Sequence, residues 1–136
     1  MRKLKAIGVA ICVCMASVHV AAAKGKYDGS VPLLCAPIEI IECGAEGDCV
    51  TATAEAVNIP QFFKIDVKKK MVSATGESER KVAIKNLEHN NGKMIIHGGQ
   101  GGRGWTMVIS EESGKLSASV AGDQFGFLVF GACTPL

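Results

Sequence analysis

The chain has 136 residues, of which 48% are hydrophobic and 21% are charged, and its formal net charge is +2. This length suits a single domain. A nucleic-acid-binding domain needs lysines and arginines clustered on one face, and this near-neutral composition argues against one. The longest basic run, Lys68–Lys70, is short and lies between two predicted strands, where a solvated turn explains it.

The first 23 residues have the three parts of a secretory signal peptide. A basic start is followed by an apolar stretch and by three small residues, Ala21–Ala23. The apolar stretch is interrupted by Ser17 and His19 and is short for the ~20 residues of a membrane span. We therefore predict cleavage after Ala23, one exported domain at residues 24–136, and no stable membrane anchor after cleavage. Cleavage removes three positive charges, which changes the formal charge from +2 to −1.

Four cysteines remain after the leader: Cys35, Cys43, Cys49 and Cys133. In an exported chain they imply disulfides, and four cysteines allow three connectivities. Cys43 and Cys49 flank the turn-like segment Gly44–Asp48. If the flanking residues pair antiparallel, the opposed Cα atoms are roughly 4.5 to 5.5 Å apart, which a disulfide tolerates. Cys35 then pairs with Cys133. A zinc site needs two close cysteine pairs, so we predict no metal.

Apolar and polar residues alternate with period two along much of the chain, for example at Phe63, Ile65 and Val67, which indicates half-buried strands. The runs 94–96 and 125–130 are apolar at both parities and predict more central strands. Thr53 is expected to cap a short turn over residues 54–57. The predicted strands are 34–42, 49–53, 61–67, 71–75, 81–87, 93–98, 104–110, 115–120 and 125–132.

Short strands separated by turns predict an all-β fold, an antiparallel meander of eight or nine strands. A disulfide between Cys35 and Cys133 would tie the first strand to the last. That link favours a small closed barrel, which has no exposed edges. A two-sheet β-sandwich is the alternative, because it buries alternate residues in the same way.

The segment Gly99–Gly104 matches the G-x-G-x-x-G pattern of dinucleotide-binding folds. That pattern needs a helix after it, whereas a strand is predicted from Gly104 onward, so we interpret the segment as a glycine-rich hairpin. Arginine and tryptophan are enriched in binding hot spots. We therefore take Arg103 and Trp105, with the neighbouring Gln100 and His97, as candidate ligand-binding or partner-binding residues.

No pattern in the sequence predicts a catalytic residue or a cofactor. No serine lies in a G-x-S-x-G turn, and all four cysteines are used as disulfides. The spacing of His89 and His97 does not enforce a metal site. An enzyme would need residues that only the fold assembles, such as His97, Asp123 and Glu88.

Several segments carry a resemblance: Asp28–Cys35, Glu42–Cys49, Asn58–Phe62, Gly102–Ile109 and Phe130–Pro135. In these segments the chain resembles a group of small exported proteobacterial proteins, and the likeness covers nearly the whole of residues 24–136. The resemblance implies export and a single domain, and it implies no activity. In size and architecture the chain is also similar to small β-barrel periplasmic lysozyme inhibitors. Their Ser-Gly-x-x-Tyr inhibitory motif is absent here, where the only tyrosine is Tyr27.

Together these features predict a periplasmic or secreted protein without catalytic activity. We expect a binding module of the cell envelope that recognises a protein or a small ligand. The alternatives are a periplasmic enzyme whose residues meet only in the fold and a protein that inhibits a hydrolase.

Overall fold

The computed structural model describes residues 26–76 and 80–136, so the predicted leader and part of the predicted turn at residues 76–78 lie outside the described residues. No helix within the two described ranges is long and apolar enough to cross a membrane. All nine predicted strands are present. They are β1 (Leu33–Gly44), β2 (Cys49–Ala52), β3 (Phe63–Asp66), β4 (Met71–Ala74), β5 (Lys81–Asn90), β6 (Lys93–Gln100), β7 (Arg103–Ser110), β8 (Lys115–Ala121) and β9 (Phe125–Pro135).

Eight of the strands form a closed antiparallel barrel, which confirms the predicted fold class over a sandwich. The strands β3 to β9 pair in sequence order, and β1 pairs with both β3 and β9. The β1–β9 ladder extends from Leu33 opposite Pro135 to Gly44 opposite Phe125. The short β2 is an extra strand that pairs with the second half of β1.

Tight turns join the strands at both ends of the barrel. We call the end with the β5–β6 and β7–β8 turns the lower end, and the end with the β6–β7 and β8–β9 turns the upper end. The β5–β6 turn is Asn91-Gly92 and the β6–β7 turn is Gly101-Gly102, and all four residues have positive φ. Two central residues with positive φ make a type I′ turn, whose twist matches that of paired strands.

The basic run Lys68–Lys70 lies in the β3–β4 turn and is exposed, as predicted. Asp66, at the end of β3, explains its conformation. The Asp66 carboxylate accepts a hydrogen bond from the backbone N–H of Lys69 at 3.1 Å, and its other oxygen lies 3.8 Å from the Lys69 ammonium. The run is therefore a solvated turn held by an aspartate.

Side chains of the protein itself fill the barrel interior. Leu33, Ile65, Met94, Ile96 and Ile109 are fully buried there. Because alternate residues of a strand point to opposite faces, each wall strand contributes every second side chain to this core. The other buried apolar residues are Cys35, Ile40, Phe63, Val72, Ile84, Trp105, Leu116, Phe127, Val129 and Cys133.

Segments outside the barrel wall cover both ends of this core. Near the upper end, the Thr53 hydroxyl accepts a hydrogen bond from the backbone N–H of Ala56 at 3.2 Å, which confirms the predicted cap. The turn places Val57 and Ile59 against a buried cluster that includes Phe127. At the lower end, Tyr27 packs against the main core, and its backbone N–H donates to the Glu111 carbonyl at 3.0 Å.

Both predicted disulfides are present. Cys35 and Cys133 face each other directly in the β1–β9 ladder, with Cα atoms 4.0 Å apart. Cys43 and Cys49 do the same across β1 and β2, at 4.1 Å. Two such bonds are consistent with an oxidising environment.

The run 125–130 is apolar on both of its faces but buried on one. Leu128 and Phe130 are 46% and 44% exposed. They alternate with Phe127 and Val129, which point into the core. In a closed barrel only one face of each strand meets the core, so the outer parity of β9 is an apolar surface in contact with solvent.

We expect the two disulfides to contribute unequally to stability. Replacing Cys35 and Cys133 together by alanine should lower the free energy of unfolding by about 4 to 5 kcal/mol, because the bond closes a loop of 98 residues. Replacing Cys43 and Cys49 should cost about 2 kcal/mol, because that loop spans six. Equilibrium denaturant unfolding of the oxidised variants measures both values. Equal losses for the two pairs would contradict the chain-entropy explanation.

Candidate functional site

The structure places one of the four predicted binding residues, Trp105, in the core. Its side chain is on the inner face of β7 and only 9% exposed. The ring lies over Gly98 of β6, where any added Cβ atom would overlap it. The indole N–H finds no acceptor among the described residues. Trp105 is therefore part of the barrel core, and a role for it in binding stays a prediction.

Gln100 and Arg103 are paired and exposed at the β6–β7 hairpin, at the upper end. The G-x-G-x-x-G match thus spans two strands and a type I′ turn, which confirms the hairpin interpretation. The Arg103 guanidinium lies over the Phe125 ring, 4.8 Å from its centre. That contact gives this end of the barrel a cation–π pair. Partner binding through Gln100 and Arg103 stays a prediction.

His97 lies on the outer face of β6, in a line of three polar side chains. Its Nδ1 is 3.0 Å from the Thr106 hydroxyl, and its Nε2 is 3.3 Å from a carboxylate oxygen of Glu88. The fold thus brings together two of the three residues considered for an enzyme. Asp123, the third, lies in the β8–β9 turn at the upper end.

A hydroxyl, an imidazole and a carboxylate in a line have the order of groups in a hydrolytic triad. Here they lie on an open strand surface, with side-chain exposures of 37% for His97 and 52% for Glu88. The backbone N–H groups around Thr106 belong to a strand paired on both sides, so they are not free to stabilise an oxyanion. The line is a hydrogen-bonded surface array without the features that acyl transfer needs. Among residues 26–76 and 80–136, no three His, Cys, Asp or Glu side chains are grouped as metal ligands.

A β-bulge in β1 creates a different surface feature. Pro37 pairs with Gly131 and Glu39 with Phe130, so Ile38 is an extra residue in the ladder. Proline cannot donate a ladder hydrogen bond and is found in sheets at such bulges. Gly131 is required opposite it, because a Cβ atom there would overlap the Ala36 carbonyl. The bulge turns Ile38 outward, and its side chain is 77% exposed.

Beside the bulge lies a groove on the outside of the barrel, with a volume of about 590 Å³. We call it the outer groove. Its apolar lining includes Ile38 from β1, Phe130 from β9 and Val108 from β7. Gly131 contributes only its backbone to the lining, since a Cβ atom there would point towards the Ala36 carbonyl. The bulge places Ile38 beside the groove, and Ile38 forms part of its lining.

The part of the outer groove nearest the lower end is polar. Lys93 begins β6, Ser110 ends β7, Ser113 lies in the β7–β8 turn and Lys115 begins β8, and all four line the groove. Within the described part of the chain, neither lysine has a carboxylate within 4 Å. Glu39 is the one acidic residue of the lining. The groove is thus amphipathic, apolar along the wall and cationic towards the lower end.

Local sequence patterns do not predict this site. Its signals were a proline inside a strand, Pro37, and two bulky apolar residues, Leu128 and Phe130, at the parity opposite the core residues of β9. A proline inside a strand and apolar residues on both faces of a strand are each compatible with several folds. The strand register is needed to choose between them. The neighbours that form the groove come from five strands whose order the barrel closure sets.

Comparison of the chain with protein-family models, with curated proteins and with solved structures gave no significant match.

A substitution at Gly98 tests whether the Trp105 ring is packed in the core against this glycine. Gly98→Ala should displace the ring and lower the free energy of unfolding by about 1 to 3 kcal/mol, the usual cost of overpacking. Gly104→Ala is the matched control, because it lies in the same hairpin and its Cβ would meet nothing within 4 Å. Tryptophan fluorescence and denaturant unfolding measure both effects. A neutral Gly98→Ala variant would contradict the packing described for Trp105.

Proposed function

We propose that the protein is an exported, non-catalytic binding module that recognises its partner or ligand through the outer wall formed by β1, β9, β8 and β7. The observation that carries this proposal is the outer groove, an apolar depression in a barrel whose interior is already occupied by side chains. Small barrels filled in this way leave the outside as their recognition surface.

The exposed apolar residues of this wall support the proposal. Ile38, Leu128 and Phe130 are each more than 40% exposed and lie on neighbouring strands. Large apolar side chains grouped on the outside of a soluble protein commonly mark a place where something binds. The groove volume of about 590 Å³ lies in the range of small-molecule sites, roughly 300 to 1,000 Å³.

An enzyme is the weaker alternative. The line of Glu88, His97 and Thr106 favours it, because it supplies a base and a hydroxyl in contact. However, the groups are open to water, and electrostatic stabilisation of a transition state depends on a site that excludes water. A binding module needs none of these catalytic features.

Export to the periplasm or outside the cell remains part of the proposal. It is supported by the signal-peptide pattern of residues 1–23 and by two disulfides, which are rare in reducing compartments.

Site-directed photocrosslinking in cells that export the full chain tests which surface is used. Phe130→p-benzoylphenylalanine places a photoreactive ring in the outer groove, and we expect it to form crosslinked adducts with a partner or ligand, detected by mass spectrometry. Phe62→p-benzoylphenylalanine is the matched control, because Phe62 is also an exposed phenylalanine, at 49%, but does not line the groove.

A third variant, Gln100→p-benzoylphenylalanine, reports on the hairpin at the upper end. Adducts at position 100 and none at position 130 would overturn the proposed surface in favour of the hairpin residues Gln100 and Arg103. Retention of the protein in the cytoplasm would contradict export.

A further inference from the structure

We propose that the outer groove binds a single-chain anionic amphiphile, a fatty carboxylate, with its chain along the apolar wall and its head at the lower end. This inference rests on the proposed function, since it assigns a ligand class to the same surface. It follows from the shape of the groove and from the placement of its charges.

The shape suits an extended chain. The lining residues follow one another across five strands, from Ile38 on β1 through Phe130 on β9, Ser117 on β8 and Val108 on β7 to Lys93 on β6. Paired strands are roughly 4.8 Å apart, so the groove crosses roughly 15 to 20 Å of barrel wall. A shallow groove of this length and about 590 Å³ fits one acyl chain better than a compact ring system.

The apolar part of the groove lacks a covering element among the described residues. Phe130 is 44% exposed and Ile38 is 77% exposed, and Val108 is partly exposed between them and Lys93. Burial of such side chains by a hydrocarbon chain removes apolar surface from water on both partners, and that removal is favourable. The wall therefore provides the affinity for a chain but no selectivity for its head.

The lower end provides selectivity for an anion. Lys93 and Lys115 line the groove there without an acidic partner in the described part of the chain. The Ser110 hydroxyl oxygen accepts the backbone N–H of Ser113 at 3.3 Å, and the Ser113 oxygen accepts that of Lys115 at 3.4 Å. Because each oxygen already accepts a bond, each hydroxyl keeps its hydrogen to donate. Two ammonium groups and two hydroxyl donors converge on the same end.

Glu39 sets the orientation of the ligand. It pairs with Phe130 in the ladder, in the apolar half of the groove, whereas Lys115 pairs with Ala132, closer to the lower end. A carboxylate head placed beside Glu39 would be repelled, and beside Lys93 and Lys115 it is attracted. The chain therefore points from the lysines towards β1.

Titration of the exported, 15N-labelled protein with sodium laurate below its micelle concentration tests the inference. We expect saturable amide shifts at Val108, Lys115, Ser117 and Phe130 and none at the Gly101-Gly102 turn. Dodecyltrimethylammonium has the same chain with a cationic head, and acetate has the head without the chain. Both should bind at least about tenfold more weakly than laurate.

Two sets of variants, each with a control, separate the contribution of the apolar wall to laurate binding from that of the lysines. Phe130→Ser should weaken laurate binding about tenfold, whereas Leu128→Ser, an exposed residue of the same strand outside the groove lining, should not. Lys93→Gln combined with Lys115→Gln should remove the preference for laurate over the cationic amphiphile. Lys81→Gln is the control for an exposed lysine elsewhere, and thermal unfolding checks that each variant is folded.

Equal affinity for the anionic and the cationic amphiphile would overturn the assigned head site. Shifts spread over the whole surface, or absence of laurate binding, would overturn the ligand class. If a protein or a second copy of this chain is instead crosslinked at position 130, the ligand class is wrong while the outer wall remains the recognition surface. Absence of any adduct at position 130 would overturn the proposed function itself.

Discussion

The pairing of β1 with β9 is the constraint on which the rest of the structure depends. The two strands are the longest in the barrel, and their ladder joins residues about a hundred positions apart along the chain. Bringing such distant segments together costs chain entropy, which the Cys35–Cys133 bond lowers by restricting the unfolded chain. Once this ladder forms, every wall strand has two neighbouring strands, and β2, outside the wall, pairs with β1 alone.

Closure also divides the side chains into two populations. One parity of each wall strand points into a core that the protein fills itself, and both ends of that core are covered by its own segments. The other parity points to the outside. A barrel of this kind offers a ligand its outer wall and its hairpins, and for this reason the apolar residues on the outside of β9 are more informative about function than those in the core.

The same ladder carries the irregularity that places Ile38 beside the outer groove. Pro37 cannot donate a hydrogen bond, so β1 accommodates it with a bulge, and Gly131 lets the two backbones approach. The bulge takes Ile38 out of the alternation of inward and outward side chains along β1. On both sides of the bulge, β1 and β9 remain paired. The strand pair that closes the barrel thus also contributes Ile38 and Phe130 to the outer groove.

The nine strands, both disulfides and the Thr53 turn could be predicted from the sequence. The strands, the turn and the Cys43–Cys49 bond depend on local signals: period-two hydrophobicity, turn residues at short intervals and cysteines at hairpin spacing. The Cys35–Cys133 bond follows because those two cysteines are the ones that remain. The faces of β9 could not be predicted, because Leu128 and Phe130 look the same in a strand buried on both faces and in a barrel wall. The core position of Trp105 is a further feature that local pattern does not give, since only the register shows that Gly98 makes room for the ring.

The sequence by itself therefore determined the fold class and the two disulfides. The spacing of apolar residues, the turn residues and the positions of the cysteines can all be read directly from the chain. Only the tertiary structure decided which side chains lie next to one another on the outer surface of the barrel. The outer groove combines Ile38, Phe130, Val108 and the lysines at the lower end from five strands, and their proximity depends on the closure of β1 on β9. Such long-range register cannot be read from local pattern, because shifting a strand by one residue exchanges its two faces.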